Sequence, residues 1–147
     1  MPIKTFRGLI ADGGQDTIVL HTNTVATGYR IVKFEIMPPA IVTTAAEYCV
    51  KIFKIQQSTI DGAVDFSDNT LLAVATMKSQ TTLGNPETPL QVIFDQEIFN
   101  QDIYITGFDA DSSNSVNYYL ELEQVKLDLN QNTVATLKDI RNVTAPV

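Results

Sequence analysis

Apolar and polar residues alternate along most of this chain in short runs, each closed by a turn-forming cluster. Lys4 to Ala11 and Asp16 to Thr22 form two such runs around Asp12-Gly13-Gly14-Gln15, whose paired glycines supply the positive φ that a tight hairpin turn requires. Tyr29 to Met37 carries apolar residues at both parities, which predicts a strand more than half buried. Pro38-Pro39 ends it, since neither proline can donate to a ladder. In Ala45 to Gln56, Tyr48, Val50 and Ile52 share one face, and the pattern then slips to Phe53 and Ile55, as at a β-bulge or a change of sheet. Thr70 to Lys78, Leu90 to Asp95 and Asp102 to Phe108 follow. Gln80 to Pro89 reads as a long irregular connection, and Ile98 with Phe99 as a hydrophobic plug.

The longest pattern closes the chain. Val116, Tyr118, Leu120 and Leu122 alternate with Asn117, Glu121 and Glu123, after which the apolar positions become Val125, Leu127 and Leu129. A bulge or sharp twist is predicted near Glu123 and Gln124. Run on to residue 129, the strand would span roughly 45 Å, long for a domain of this size. From Asn130 the period changes to that of a helix, with Val134, Leu137 and Ile140 recurring every three residues. Asn130 or Asn132 caps its start, and Lys138 and Arg141 suit its negative end. Thr133, Val134 and Thr136 are poor helix formers, so so short a helix is unstable in isolation and must dock, on its own sandwich or on a neighbouring subunit. Val134, Leu137, Ile140 and Arg141 are the residues expected at such an interface.

Seven or eight short strands with no convincing helix before residue 130 predict an all-β protein. The expected architecture is a single β-sandwich or jelly-roll-like domain over residues 1–129, followed by a C-terminal helix and tail over 130–147.

Composition adds little that conflicts. With 147 residues and 44% hydrophobic content the chain can bury one core, and 18% charged residues is a low share, as for a surface partly hidden against neighbours. The net charge of −7 argues against nucleic acid, which needs clustered Lys and Arg. It is unevenly spread: residues 55–125 hold eleven acids against Lys78. No run approaches membrane-spanning length, and MPIKTFRGLI lacks the apolar stretch of a signal peptide, so a cytoplasmic origin and no membrane partner are expected. Cys49 is the only cysteine and sits in an apolar run, where a buried, inert thiol is expected.

Candidate chemistry is thin. Asp12-Gly13-Gly14 is not a phosphate loop, because no Lys-Ser/Thr pair and no helix follow. Asp109, Asp111 and Ser113 have the alternate spacing of a calcium loop, but Asn114 stands where the turn glycine belongs and Leu120 where the bidentate glutamate belongs. His21 is the only histidine, too little for a zinc site or a Ser-His-Asp triad. Tyr118-Tyr119 offers a sugar-stacking ring if one of the pair faces outward. No catalytic residue, metal or cofactor is assigned, and the chain is not expected to be an enzyme.

Residues 117–142, NYYLELEQVKLDLNQNTVATLKDIRN, resemble the C-terminal signature of small virion structural proteins in tailed phages of marine bacteria. Pro89 to Asp111, PLQVIFDQEIFNQDIYITGFDAD, is similar to the segment that commonly precedes it. The resemblance covers roughly the second half of the chain and supplies no catalytic residues. It implies a virion building block, assembled in the host cytoplasm and located in the particle. The expected partners are other copies of the chain and a major capsid or other virion protein. A capsid decoration or cement protein is the leading expectation, a neck, tail or fibre-associated protein the alternative. A small carbohydrate-binding module for host adsorption is the alternative of another class.

Overall fold

A computed structural model describes residues 2–20, 26–40, 45–79 and 89–127. These residues form eight strands: β1 Ile3–Ile10, β2 Gln15–Ile18, β3 Thr27–Met37, β4 Ala46–Phe53, β5 Leu71–Ser79, β6 Leu90–Ile93, β7 Ile103–Asp109 and β8 Val116–Lys126. They make two antiparallel sheets, a three-stranded one in the order β1-β8-β3 and a five-stranded one in the order β2-β7-β4-β5-β6. The expected all-β, sandwich-like fold is found. The C-terminal helix, with Val134, Leu137, Ile140 and Arg141, lies outside the described residues, as does His21.

Period-two alternation explains the core. Val116, Tyr118, Leu120 and Leu122 turn inward from β8 and meet Val50 and Ile52 of β4, Ala73 and Ala75 of β5, and Ile103 and Ile105 of β7 in one cluster. Each fully buried Leu or Ile contributes about 1.5–3 kcal/mol of hydrophobic transfer. The sheets approach closely where Ile10 meets β7: a Cβ on Gly107 would stand 2.5 Å from Ile10 Cγ2, so that position admits only glycine without displacement.

Three expectations change. Asp12-Gly13-Gly14-Gln15 does turn the chain, with Gly13 at φ 77°, but β1 and β2 do not pair as a hairpin. β1 joins β8 and β2 joins β7, so the turn carries the chain from one sheet to the other. It is held by β7, since Gly13 donates to the Gly107 carbonyl at 2.9 Å and Gly107 to the Gly14 carbonyl at 3.1 Å. In β3 the apolar residues at both parities reflect a bulge: Ile31 pairs with Leu122 and Lys33 with Glu121, leaving Val32 as the extra residue. Tyr29 and Ile31 face inward before it, Phe34 and Ile36 after it.

The bulge predicted at Glu123 and Gln124 of β8 is absent. Pairing with β3 runs one-to-one from Leu122 to Lys126. The slip in apolar positions arises because cover changes sides: Leu127, buried at 4% exposure, flanks Gly28 together with Ile98. The plug expected at Ile98 and Phe99 is present. Phe99 is buried and exchanges two backbone hydrogen bonds with Tyr29, at 2.8 and 2.9 Å. The slip expected after Ile52 is also present, as a register shift against β5 between Ile52 and Phe53.

Candidate functional site

Register places a defined set of side chains on the outer face of the three-stranded sheet. Leu9 and Met37 flank Asn117, Arg7 and Glu35 flank Tyr119, Thr5 and Lys33 flank Glu121, and Ile3 and Arg30 flank Glu123. The rows nearest Lys33 and Arg30 are tied by ion pairs. Arg30 meets Glu123 at 2.8 Å, and Lys33 lies 3.9 Å from both Glu35 and Glu121 and 5.8 Å from the centre of the Tyr119 ring. The opposite end is open: Leu9 is 56% and Met37 53% exposed. There Arg7, Leu9, Glu35, Met37, Asn117 and Tyr119 enclose a shallow concavity of about 510 Å³.

The open end of this face has the composition of a contact surface. It combines an aromatic ring, an amide, one guanidinium and one carboxylate with two exposed apolar side chains, the mixture of a binding patch. Tyr118 and Tyr119 divide as strand alternation requires: Tyr118 is buried in the core and Tyr119 faces outward. Arg7, Leu9, Glu35 and Met37 were not legible as site residues, because only the pairing of β1 and β3 to β8 brings them together. Their one sequence signal is that Leu9 and Met37 are apolar on the polar side of their strands.

Residues 61–63 lie against the outer face of the five-stranded sheet, with Gly62 beside the Phe108 ring. Lys51 Nζ is buried there, donating to Asp61 Oδ1 at 3.2 Å and to the Ala63 carbonyl at 2.6 Å. Gln15 and Gln57 exchange hydrogen bonds at 3.1 and 2.8 Å at the β2 end. Cys49 is buried beside Lys51, and burial pushes its thiol up, as expected for an inert cysteine.

The acidic stretch from 55 to 125 does not form one face. Glu121 and Glu123 serve the three-stranded sheet, and Asp61 and Glu97 pair with Lys51 and Lys54. Asp109 is turned onto its own loop. Its Oδ1 accepts from the N–H groups of Glu47 and Asp111 and its Oδ2 from that of Asn114, all within 2.8 to 2.9 Å. Burial would raise this carboxyl, but the backbone donors of Glu47, Asp111, Asn114 and Ser112 outweigh it and hold it below the usual carboxylate range. The alternating Asp109, Asp111 and Ser113 thus build a loop around one carboxylate, with Ser113 at φ 59°. Among the described residues no group of three or more His, Cys, Asp or Glu is placed to hold a metal ion. Neither the protein-family models, the curated proteins nor the solved structures give a match to this chain.

Proposed function

We propose that this chain is a non-enzymatic structural component of a tailed-phage virion, a decoration or cement protein that bridges capsomers. The observation that carries the reading is the nesting of its strands. β1 pairs β8, β2 pairs β7 and β4 pairs β5, while β3 is bridged at Tyr29 by Phe99, in the segment that follows β6. Three of these pairs follow the nesting of one long hairpin rolled into two sheets, although β6 is joined to β5 instead of β3. This supports a jelly-roll reading, an architecture that viral capsid and lectin domains share. The resemblance of residues 117–142 to small phage virion proteins favours the capsid branch. The open face around Leu9, Met37 and Tyr119 supplies a contact surface for it, and symmetric association is the common state of such parts.

Copy number in purified particles tests the proposal. A cement protein is expected at hundreds of copies per virion by quantitative mass spectrometry. About a dozen copies or fewer would move it to the neck, tail or fibres, and absence from the particle would end the reading.

One observation favours a second reading, a carbohydrate-binding module. Tyr119 presents its ring on the outer face beside Asn117, Arg7 and Glu35, groups that bond to sugar hydroxyls. Binding on a glycan array that Tyr119→Ala abolishes would support it. Silence across the array would exclude it.

A further inference from the structure

β1 ends the three-stranded sheet, and it differs from the other edges. β2 and β6 have four residues each, and β3 is bulged at Val32 and bridged by Phe99. β1 has eight residues, holds an unbroken register with β8, and contains no proline from Ile3 to Ile10. Long regular edges are templates for strand addition.

One hydrogen bond fixes which backbone groups this edge leaves open. Gln124 N–H donates to the Pro2 carbonyl at 2.9 Å, one step before the pair Ile3 and Glu123. Bonded and non-bonded pairs alternate in an antiparallel ladder, so even positions of β1 turn their backbone groups toward β8. Ile3, Thr5, Arg7 and Leu9 turn theirs the other way, where no strand pairs with them among the described residues.

We propose that this edge pairs with the same edge of a second copy, antiparallel about a two-fold axis at Phe6, joining the two three-stranded sheets into one. Facing residues must share a sheet face, which restricts the axis to a residue rather than a gap between residues. With Phe6 on the axis, Ile3 faces Leu9 of the second copy, Thr5 faces Arg7, and Lys4 faces Gly8. Every outward-turned residue from Ile3 to Leu9 then exchanges both of its hydrogen bonds. An axis at Arg7 sets two guanidinium groups opposite each other and leaves Ile3 beyond the strand. An axis at Thr5 leaves Leu9 beyond it. The Phe6 register covers Ile3 and Leu9, 46% and 56% exposed, with each other, and opposes no like charges. Lys4, the inward charge that would guard such an edge, meets a residue with no side chain. This self-complementarity is why the occupant is a second copy.

The proposal goes beyond the virion reading. Copy number in particles decides that reading, and the purified full chain in solution decides this one. Wild type is expected to sediment as a dimer that dissociates on dilution. Thr5→Pro removes an outward N–H and spares the ladder to β8, so it is expected to weaken the dimer at least about tenfold with the fold retained by circular dichroism. Should that variant fail to fold, cysteine cross-linking decides. Phe6→Cys places thiols in a non-bonded pair with Cα atoms about 4.5 Å apart, within disulfide range, and is expected to give a covalent dimer on mild oxidation. Arg7→Cys, offset from its own copy, is expected to give none. A wild type that is monomeric at every concentration overturns the proposal and leaves the edge to another partner. So does cross-linking through Arg7→Cys in place of Phe6→Cys.

Discussion

The Tyr118 hydroxyl donates to Oδ2 of Asp16 at 3.1 Å, tying the central strand of the three-stranded sheet to the edge strand of the five-stranded one. Tyr48 makes a comparable tie from β4, donating to the Ser115 carbonyl at 2.7 Å just before β8 begins. Both hydroxyls are drawn out of water to hold the sandwich closed.

Those ties predict late-ionising tyrosines. Burial, then the Asp16 charge, pushes Tyr118 up to about 12, and burial with Asp109 pushes Tyr48 up to about 12. A raised folded pKa means that the stabilisation is complete below the unfolded value of about 10 and is lost as pH rises toward 12. Tyrosinate absorbance should therefore show Tyr118 and Tyr48 ionising late, with unfolding accompanying them. Tyr118→Phe should remove one late titration and cost about 1 kcal/mol in urea denaturation. A late titration left unchanged by Tyr118→Phe would contradict the tie.

Asp109 predicts the acid limb. Its folded pKa is depressed, so its contribution is present above the unfolded value of about 3.9 and is lost as pH falls through the folded one. Asp109→Ala strands the N–H groups of Glu47, Asp111 and Asn114 and should cost about 2–4 kcal/mol at neutral pH. Melting of both proteins across acid pH checks this. The gap between them should narrow as the wild-type carboxyl protonates, whereas a constant gap would mean the side chain acts by packing.

Lys51 and Asp61 predict an asymmetry. Lys51 is buried while the Asp61 side chain is 52% exposed. Asp61→Asn leaves a buried ammonium without its counter-charge and should cost about 1–2 kcal/mol, moderated because water already reaches Asp61. Lys51→Met removes the buried charge itself and should cost less by equilibrium denaturation. Both should speed proteolysis within residues 54–70, which Lys51 fastens through Asp61 and the Ala63 carbonyl. Equal protection in all three proteins would show that the segment is held elsewhere.

Much of this was legible because strands advertise themselves locally. The alternation of Val116 to Leu122, the proline stop after Met37 and the apolar plug at Ile98 and Phe99 each follow from the geometry of a few neighbouring residues. The bulge in β3 was not legible, because an extra residue at Val32 and burial on two faces leave the same parity pattern. The opposite error occurred in β8, where Leu127 changes sides without any bulge because Ile98 reaches Gly28 from a distant part of the chain.

The sequence by itself determined the approximate strands, the inward face of β8 from Val116 to Leu122 and the sandwich-like class, since a side-chain period of two and turn chemistry act within a few residues. Only the tertiary structure decided that Asp12 to Gln15 passes between sheets, that Lys51 lies under residues 61–63, and that Arg7, Leu9, Glu35 and Met37 share a face around Tyr119. Those outcomes depend on which strand pairs with which. Pairing is settled by long-range burial and register, to which no single stretch of residues holds the key.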